Sequence, residues 1–359
     1  MLCVAALGSA FGAGQASASA VPSSFIGITA EDTFAQPGAY RSGQLNQQKA
    51  VGVGLFRQVF KWSDIEKTKG QYDFTFYDQY VIDAANKGIT ILPILLDAPA
   101  FRAAALPSNA KANTSRLPKS NTDLGNFAAL LIRRYGPKGS VWAGHANARK
   151  YAIRSWQVWN EPNIPIYWGG RKPNAGNYVK MLAATARGIK KADRYAEVVT
   201  AGIPDTRLGG AQPLTPYLQG LLHSKAQRYA QTFAVNAYAR TGASTATVIS
   251  RVRKQMNKGK ATKTKIWLTE AGWADRGPKS RFNLGSEHAQ ATQITKMFTI
   301  LAKQRKTLLL RGIVYYNWRD GAPYNGKDFV GLHQGLLRVN GGHKKAFSAF
   351  GAAVRKIRR

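Results

Sequence analysis

Two glutamates are placed where they could do chemistry: Glu161, in Trp156-Gln157-Val158-Trp159-Asn160-Glu161-Pro162-Asn163, and Glu270, in Ile266-Trp267-Leu268-Thr269-Glu270-Ala271-Gly272-Trp273. The 359-residue chain holds only six glutamates, so two that each close a short apolar run and precede turn formers stand out. Either alone reads equally well as a turn carboxylate. As a pair at strand ends they are the equipment for splitting a glycosidic bond, one giving a proton to the leaving oxygen while the other attacks or activates water.

Presenting two carboxylates to one site requires a frame whose strands end together. Eight β-rich runs recur along the chain: 24–29, 55–60, 89–96, 153–159, 198–203, 233–238, 265–269 and 312–318. Segments of helical period lie between them, among them 77–86, 123–135, 178–191 and 288–304, and a last helix is expected over 345–357. In the third of these, Tyr178, Met181, Leu182, Thr185, Ile189 and Ala192 follow the i, i+3, i+4 rule. Such alternation predicts a (β/α)8 barrel filling one domain over residues 21–359, in which active residues project from the C-terminal strand ends. Both glutamates fall at such ends, after the fourth and seventh runs. No glycine-rich phosphate loop follows an early strand, which removes the main support for an open nucleotide-binding sheet.

Other strand ends offer companions for a sugar site: Arg57, Asn160, Asn236, Tyr238 and Trp318. Amides bind hydroxyls, aromatic rings cover pyranose faces, and a cation or phenol keeps a carboxylate ionised. Trp168 and Trp273, in the loops after the glutamates, are expected to stack on further sugars. The five histidines show no ligand spacing for zinc, and no cofactor is implied.

Charge is the second outlier. Fifty-two Lys and Arg against 18 Asp and Glu give +34, a field that attracts acidic glycans, wall polymers, anionic lipid or nucleic acid. The basic residues are spread along the chain instead of forming one groove, which favours a general surface property and disfavours nucleic acid. Residues 1–20 are apolar and small, ending Ala18-Ser19-Ala20, and read as a secretory leader that lacks the usual basic start; a secreted protein is therefore expected. The lone cysteine, Cys3, lies in that segment, so the remainder has neither disulfide nor thiol nucleophile. No run beyond it approaches the ~18 apolar residues of a membrane span. A single chain is the default oligomeric state.

Trp156 to Asn163 resembles the acid/base strand of clan A glycoside hydrolases, and Leu268 to Trp273 is similar to their nucleophile segment. Further similar stretches are 56–76, 91–99, Tyr135-Gly136-Pro137 and 315–318. The likeness is nearest to families 5 and 39. It implies Glu161 as general acid/base, Asn160 as donor to the sugar 2-hydroxyl, Glu270 as nucleophile held ionised by Arg57 and Tyr238, and Trp318 as the floor of the cleavage subsite. It also implies carboxylates about 5 Å apart and retention of configuration. Two departures bear on substrate preference: Asn236 stands where many relatives have the histidine of His-Pro-Tyr, and Leu95-Leu96-Asp97-Ala98-Pro99 lacks a histidine common in family 5.

These readings converge on a secreted retaining glycosidase acting on a β-linked oligo- or polysaccharide that carries acidic groups if the charge has a ligand role. Transglycosylation uses the same groups. The competing reading is a non-catalytic basic barrel that binds acidic glycan, wall polymer or nucleic acid. A pure binder gains little from holding two carboxylates together.

Overall fold

The structure, a computed structural model, describes residues 20–206, 208–323 and 326–359, so the expected leader lies outside the described residues except for Ala20. Among the described residues nine strands form one parallel sheet: β1 Ile26–Ile28, β2 Leu55–Lys61, β3 Thr90–Leu96, β4 Ser155–Val158, β5 Glu197–Val199, β6 Ile203–Pro204, β7 Thr232–Asn236, β8 Lys265–Ala271 and β9 Leu310–Tyr315. The sheet closes on itself, because β1 pairs with β2 on one side and with β9 on the other, Ile26 opposite Ile313. Both β5 and β6 pair with β7, through Val199 opposite Thr232 and Ile203 opposite Val235. They are two pieces of one stave, interrupted at Thr200-Ala201-Gly202. The ring therefore has the eight staves expected from the sequence, with the fifth broken.

Why the ring presents its functional groups upward follows from strand periodicity. A small core inside the ring contains Leu55, Leu92, Val199, Ala234, Trp267 and Val314. Because alternate residues share a face, the positions two further along point inward one layer higher. From five of the strands these are Arg57, Ile94, Asn236, Thr269 and Tyr316. The lower layer is apolar and packed, whereas the upper layer is where polar groups begin.

Helices cover the outside and bury the second, larger core against the sheet. Helix Ala175–Ala192 starts at Asn174, whose side chain accepts from Asn177 N, and turns its apolar stripe inward. It lies so close to helix Asn121–Tyr135 that a Cβ on Gly188 would sit 2.1 Å from Gly125 O. Helices Ala39–Ala50, Leu214–His223 and Gly242–Lys258 complete the wall where the sequence pattern had not marked them. Among the described residues no helix is long and apolar enough to cross a membrane.

One buried ionic cluster fastens the loops beside the barrel mouth. Lys344, 1% exposed, places Nζ 2.6 Å from Asp275 Oδ1 and 2.7 Å from Asp320 Oδ2, and donates to His333 O at 3.3 Å. This joins the loop after β8, the loop after β9 and the start of helix Lys345–Arg358. Arg276, half in solvent, also reaches Asp320 Oδ2 at 2.8 Å and Asp275 Oδ2 at 3.3 Å, so removing Lys344 takes the buried cation from two buried carboxylates and leaves them only this exposed one. Lys344→Met should therefore lower the stability measured by urea unfolding by about 3–5 kcal/mol, and a loss below 1 kcal/mol would contradict this account.

Candidate active site

Arg57 rises from β2 into the mouth of the barrel and is 3% exposed. Its guanidinium uses three nitrogens on three partners: Nε donates to Gln157 Oε1 at 2.8 Å, Nη2 to Asn160 Oδ1 at 2.8 Å, and Nη1 to Glu270 Oε1 at 2.6 Å. The other Glu270 oxygen, Oε2, accepts from Tyr238 Oη at 2.8 Å. A cation and a phenol therefore hold the Glu270 carboxylate from both sides. The bond from Arg57 also fixes the flip of the Asn160 amide, since its oxygen is taken and its NH2 is left free to donate.

Glu161 has different company. Asn236 Nδ2 donates to Glu161 Oε1 at 2.8 Å, and the Asn236 oxygen accepts from Thr269 Oγ1 at 2.8 Å, so a neutral amide of fixed orientation is its partner. The Glu161 carboxyl is pushed up to about 8, first by burial and then by the charge of Glu270; the Asn236 bond and Arg57 oppose this. At neutral pH Glu161 thus keeps its proton while facing a carboxylate.

Local backbone irregularities aim these groups. After β4 the chain takes positive φ at Trp159 (72°) and Glu161 (45°), and Glu161 N donates to Gly202 O at 3.0 Å. That carbonyl is available because the fifth stave is broken there. Gly202 also has no room for a side chain, for a Cβ would lie 2.3 Å from Asn236 Oδ1. In β8 the pairing shifts register, with Val235 opposite Leu268 but Asn236 opposite Glu270. A bulge of this kind re-aims a side chain, and here it brings Glu270 level with Asn236.

Arg57, Asn160, Glu161, Tyr238 and Glu270 line one cavity of about 420 Å³ at the C-terminal ends of the strands. Asn236 lies beneath it, fully buried. The three expected tryptophans do not line it. Strand β9 ends at Tyr315, three residues short of the expected Trp318, and the chain then turns; Trp318 is buried instead under the last helix, beside Phe347, with Nε1 donating to Gln44 Oε1 at 2.8 Å. Trp273 donates to Ala239 O at 2.8 Å and is fully buried, and Trp168 packs edge-on against Tyr178. The rings that do line the cavity are Tyr167, Tyr238, Phe282, Tyr316 and Phe329. Sequence reasoning also passed over Glu31, a third acid at the rim, whose Oε2 accepts from Gln58 Nε2 at 3.2 Å. Among the described residues no group of three His, Cys, Asp or Glu could hold a metal ion.

No protein-family model matches the chain, and no curated protein resembles it closely enough to match. Solved structures do. A family 39 glycoside hydrolase from the gut symbiont Bacteroides cellulosilyticus WH2 superposes with a TM-score of 0.66 at 16% identity. A family 39 enzyme from Xanthomonas axonopodis pv. citri gives 0.67 at 17%, and a monomeric beta-xylosidase from Caulobacter crescentus CB15 gives 0.64 at 20%. The chain shares the barrel of family 39 glycoside hydrolases. Each match covers 93% of this chain but only 64%, 66% and 68% of those chains, so it spans about two thirds of their length.

Two predictions follow from the Glu161 environment. The Asn236 bond favours the charged form, so Asn236→Ala should move the Glu161 titration upward from about 8, read from carboxyl carbon shifts in labelled protein; an unchanged or lower value would sink the assignment. Between the ordinary 4.5 and about 8 the unfolded chain ionises Glu161 while the folded chain retains the proton, so folding stability falls with pH across that window. Glu161→Gln should remove this slope, its stability relative to the parent growing from pH 4.5 to 8 and then levelling.

Proposed function

We propose that this chain is a retaining glycoside hydrolase acting on a β-linked saccharide by double displacement. The observation that carries the reading is the contrast between its two carboxyl groups: Glu270 is held by Arg57 and Tyr238, while Glu161 keeps a proton beside a neutral amide. Environments that push two carboxyl groups apart divide them into nucleophile and acid.

In the first step a Glu270 oxygen attacks the anomeric carbon as Glu161 passes its proton to the glycosidic oxygen. The carbon–oxygen bond breaks, the aglycone leaves as an alcohol, and a glycosyl ester on Glu270 remains. In the second step Glu161, now a carboxylate, takes a proton from water, whose oxygen attacks the same carbon and frees Glu270. The free NH2 of Asn160 donates to a ring hydroxyl, and that hydrogen bond strengthens as charge develops on the sugar. Tyr316 lines the cleft where Trp318 was expected, and offers its ring to the sugar face. Solved structures with this fold include a beta-xylosidase, a beta-galactosidase and an exo-beta-1,4-mannosidase, which supports a glycosidase without naming the sugar. Export is part of the same proposal and rests on the composition of residues 1–20.

Glu270→Gln should abolish hydrolysis of an aryl β-glycoside panel while leaving the fold intact by circular dichroism; turnover at the parental rate would refute the reading. Glu161→Ala should slow glycosides with poor leaving groups by about 10²–10⁴ and activated aryl glycosides far less in the first step. The parent's kcat/KM should fall as pH rises through about 8, and this limb should vanish in Glu161→Ala.

A further inference from the structure

The catalytic cavity does not end at the catalytic pair. On one side it meets a cavity of about 700 Å³ that shares Glu161, Tyr238 and Phe282 with it but does not include Glu270. A space that touches the proton donor and not the nucleophile is where the leaving group lies. On the other side, at Leu96, the catalytic cavity meets a third space of about 530 Å³ that touches neither carboxylate. This third space is at the ends of β2 and β3, across the ring from β7 and β8. It therefore continues the glycone side.

Strand β2 shows how the two spaces are stepped. Arg57, Val59 and Lys61 share one face, Arg57 and Val59 lining the catalytic cavity and Lys61 the next space, two strand positions further out. The opposite wall is a segment fixed to the end of β3: Ala98 N donates to Arg116 O at 3.0 Å, Arg116 N to Asp97 Oδ1 at 2.7 Å, and Ser115 N to Ile166 O at 2.9 Å. Thr114 and Ser115 line the space while only 7% and 8% exposed, and among the described residues neither hydroxyl has a hydrogen-bond partner. Lys61 is offset by Asp64 and Asp97, each 3.6 Å away. Arg116 lines the space and is exposed, and among the described residues no carboxylate pairs with its guanidinium.

We propose that this space is a second glycone-side subsite that takes a sugar bearing an anionic group, so that the protein cuts within an acidic β-linked chain. The inference rests on the proposed glycosidase reading. An enzyme that releases single terminal sugars needs its glycone side closed behind the first sugar; here a walled space continues beyond it. Thr114 and Ser115 supply hydroxyls to a sugar ring, and the unpaired Arg116 fork matches a carboxylate or sulfate. The +34 charge draws such a polymer to the surface.

The test uses aryl β-glycosides in gluco, xylo, manno and galacto configuration, each as the monosaccharide, as the neutral disaccharide, and as disaccharides whose distal sugar carries a carboxylate or a sulfate. In the configuration that is hydrolysed, kcat/KM should rise from monosaccharide to neutral disaccharide and by about tenfold or more again with the anion. The carboxylate and sulfate arms distinguish the two anions. Arg116→Ala should collapse the anionic-to-neutral ratio to near one, with Arg116→Lys recovering part of it. A monosaccharide glycoside cleaved as well as every disaccharide, or a ratio untouched by Arg116→Ala, would overturn the proposal. Calorimetric titration of the Glu270→Gln protein with the free anionic disaccharides separates this from the parent reading. Binding lost on Arg116→Ala without turnover in the parent would retain the subsite and discard hydrolysis; no binding at all would discard the subsite.

Discussion

The site is organised around the Arg57 guanidinium. A buried cation must be surrounded by acceptors, and Arg57 draws its acceptors from three places in the chain, Gln157 in β4, Asn160 just past it and Glu270 in β8. Satisfying that one group therefore fixes the relative positions of the strand ends that carry both proposed catalytic residues. A lysine at this position would supply charge without the planar fork and could not set the Asn160 amide and the Glu270 carboxylate in one plane of contacts. The polar layer above the apolar plug of the ring is in this sense built outward from β2.

Around that centre the two carboxyl groups are kept unequal. Glu270 receives the cation and a phenol, while Glu161 receives only an amide and stands opposite a negative charge. The inequality depends on backbone features that cost something elsewhere: left-handed φ at Trp159 and Glu161, a register shift in β8, and a broken fifth stave whose Gly202 leaves space for Asn236. Strain of this kind at a strand end is tolerated because the ring below it is a closed, apolar, well-packed layer.

Much of this was legible in the sequence, and the reason is periodicity. Eight strand runs identify eight staves, and the residues at or near their ends include Arg57, Asn160, Glu161, Tyr238 and Glu270, all of which line the same cavity. The same parity would have marked Gln157, which follows Ser155 on the inward face, and Tyr316, which follows Val314. The tryptophans failed because a ring's destination depends on where the strand stops. Three residues of overextension at β9 move Trp318 from the cleft to the space under the last helix, and the loops holding Trp168 and Trp273 turn those rings into the core. Phe282 and Phe329 lie in loops with no repeating pattern, so nothing in the sequence points them at the cleft. The helix Gly242–Lys258 did carry a readable start, Thr241 and Ser244 capping each other, but its serine- and threonine-rich face hides the apolar stripe.

Asn236 has a consequence for how such a site responds to its surroundings. A carboxamide neither gains nor loses a proton in water, and none of the described residues lining the cavity is a histidine. Acidity can then be sensed there only by the carboxyl groups themselves. A homologous arrangement with an imidazole beneath the acid has an additional group that charges near neutrality and would superimpose its own transition on the first. With an amide in that place, the titration of Glu161 is not overlaid by one of its own hydrogen-bond partner.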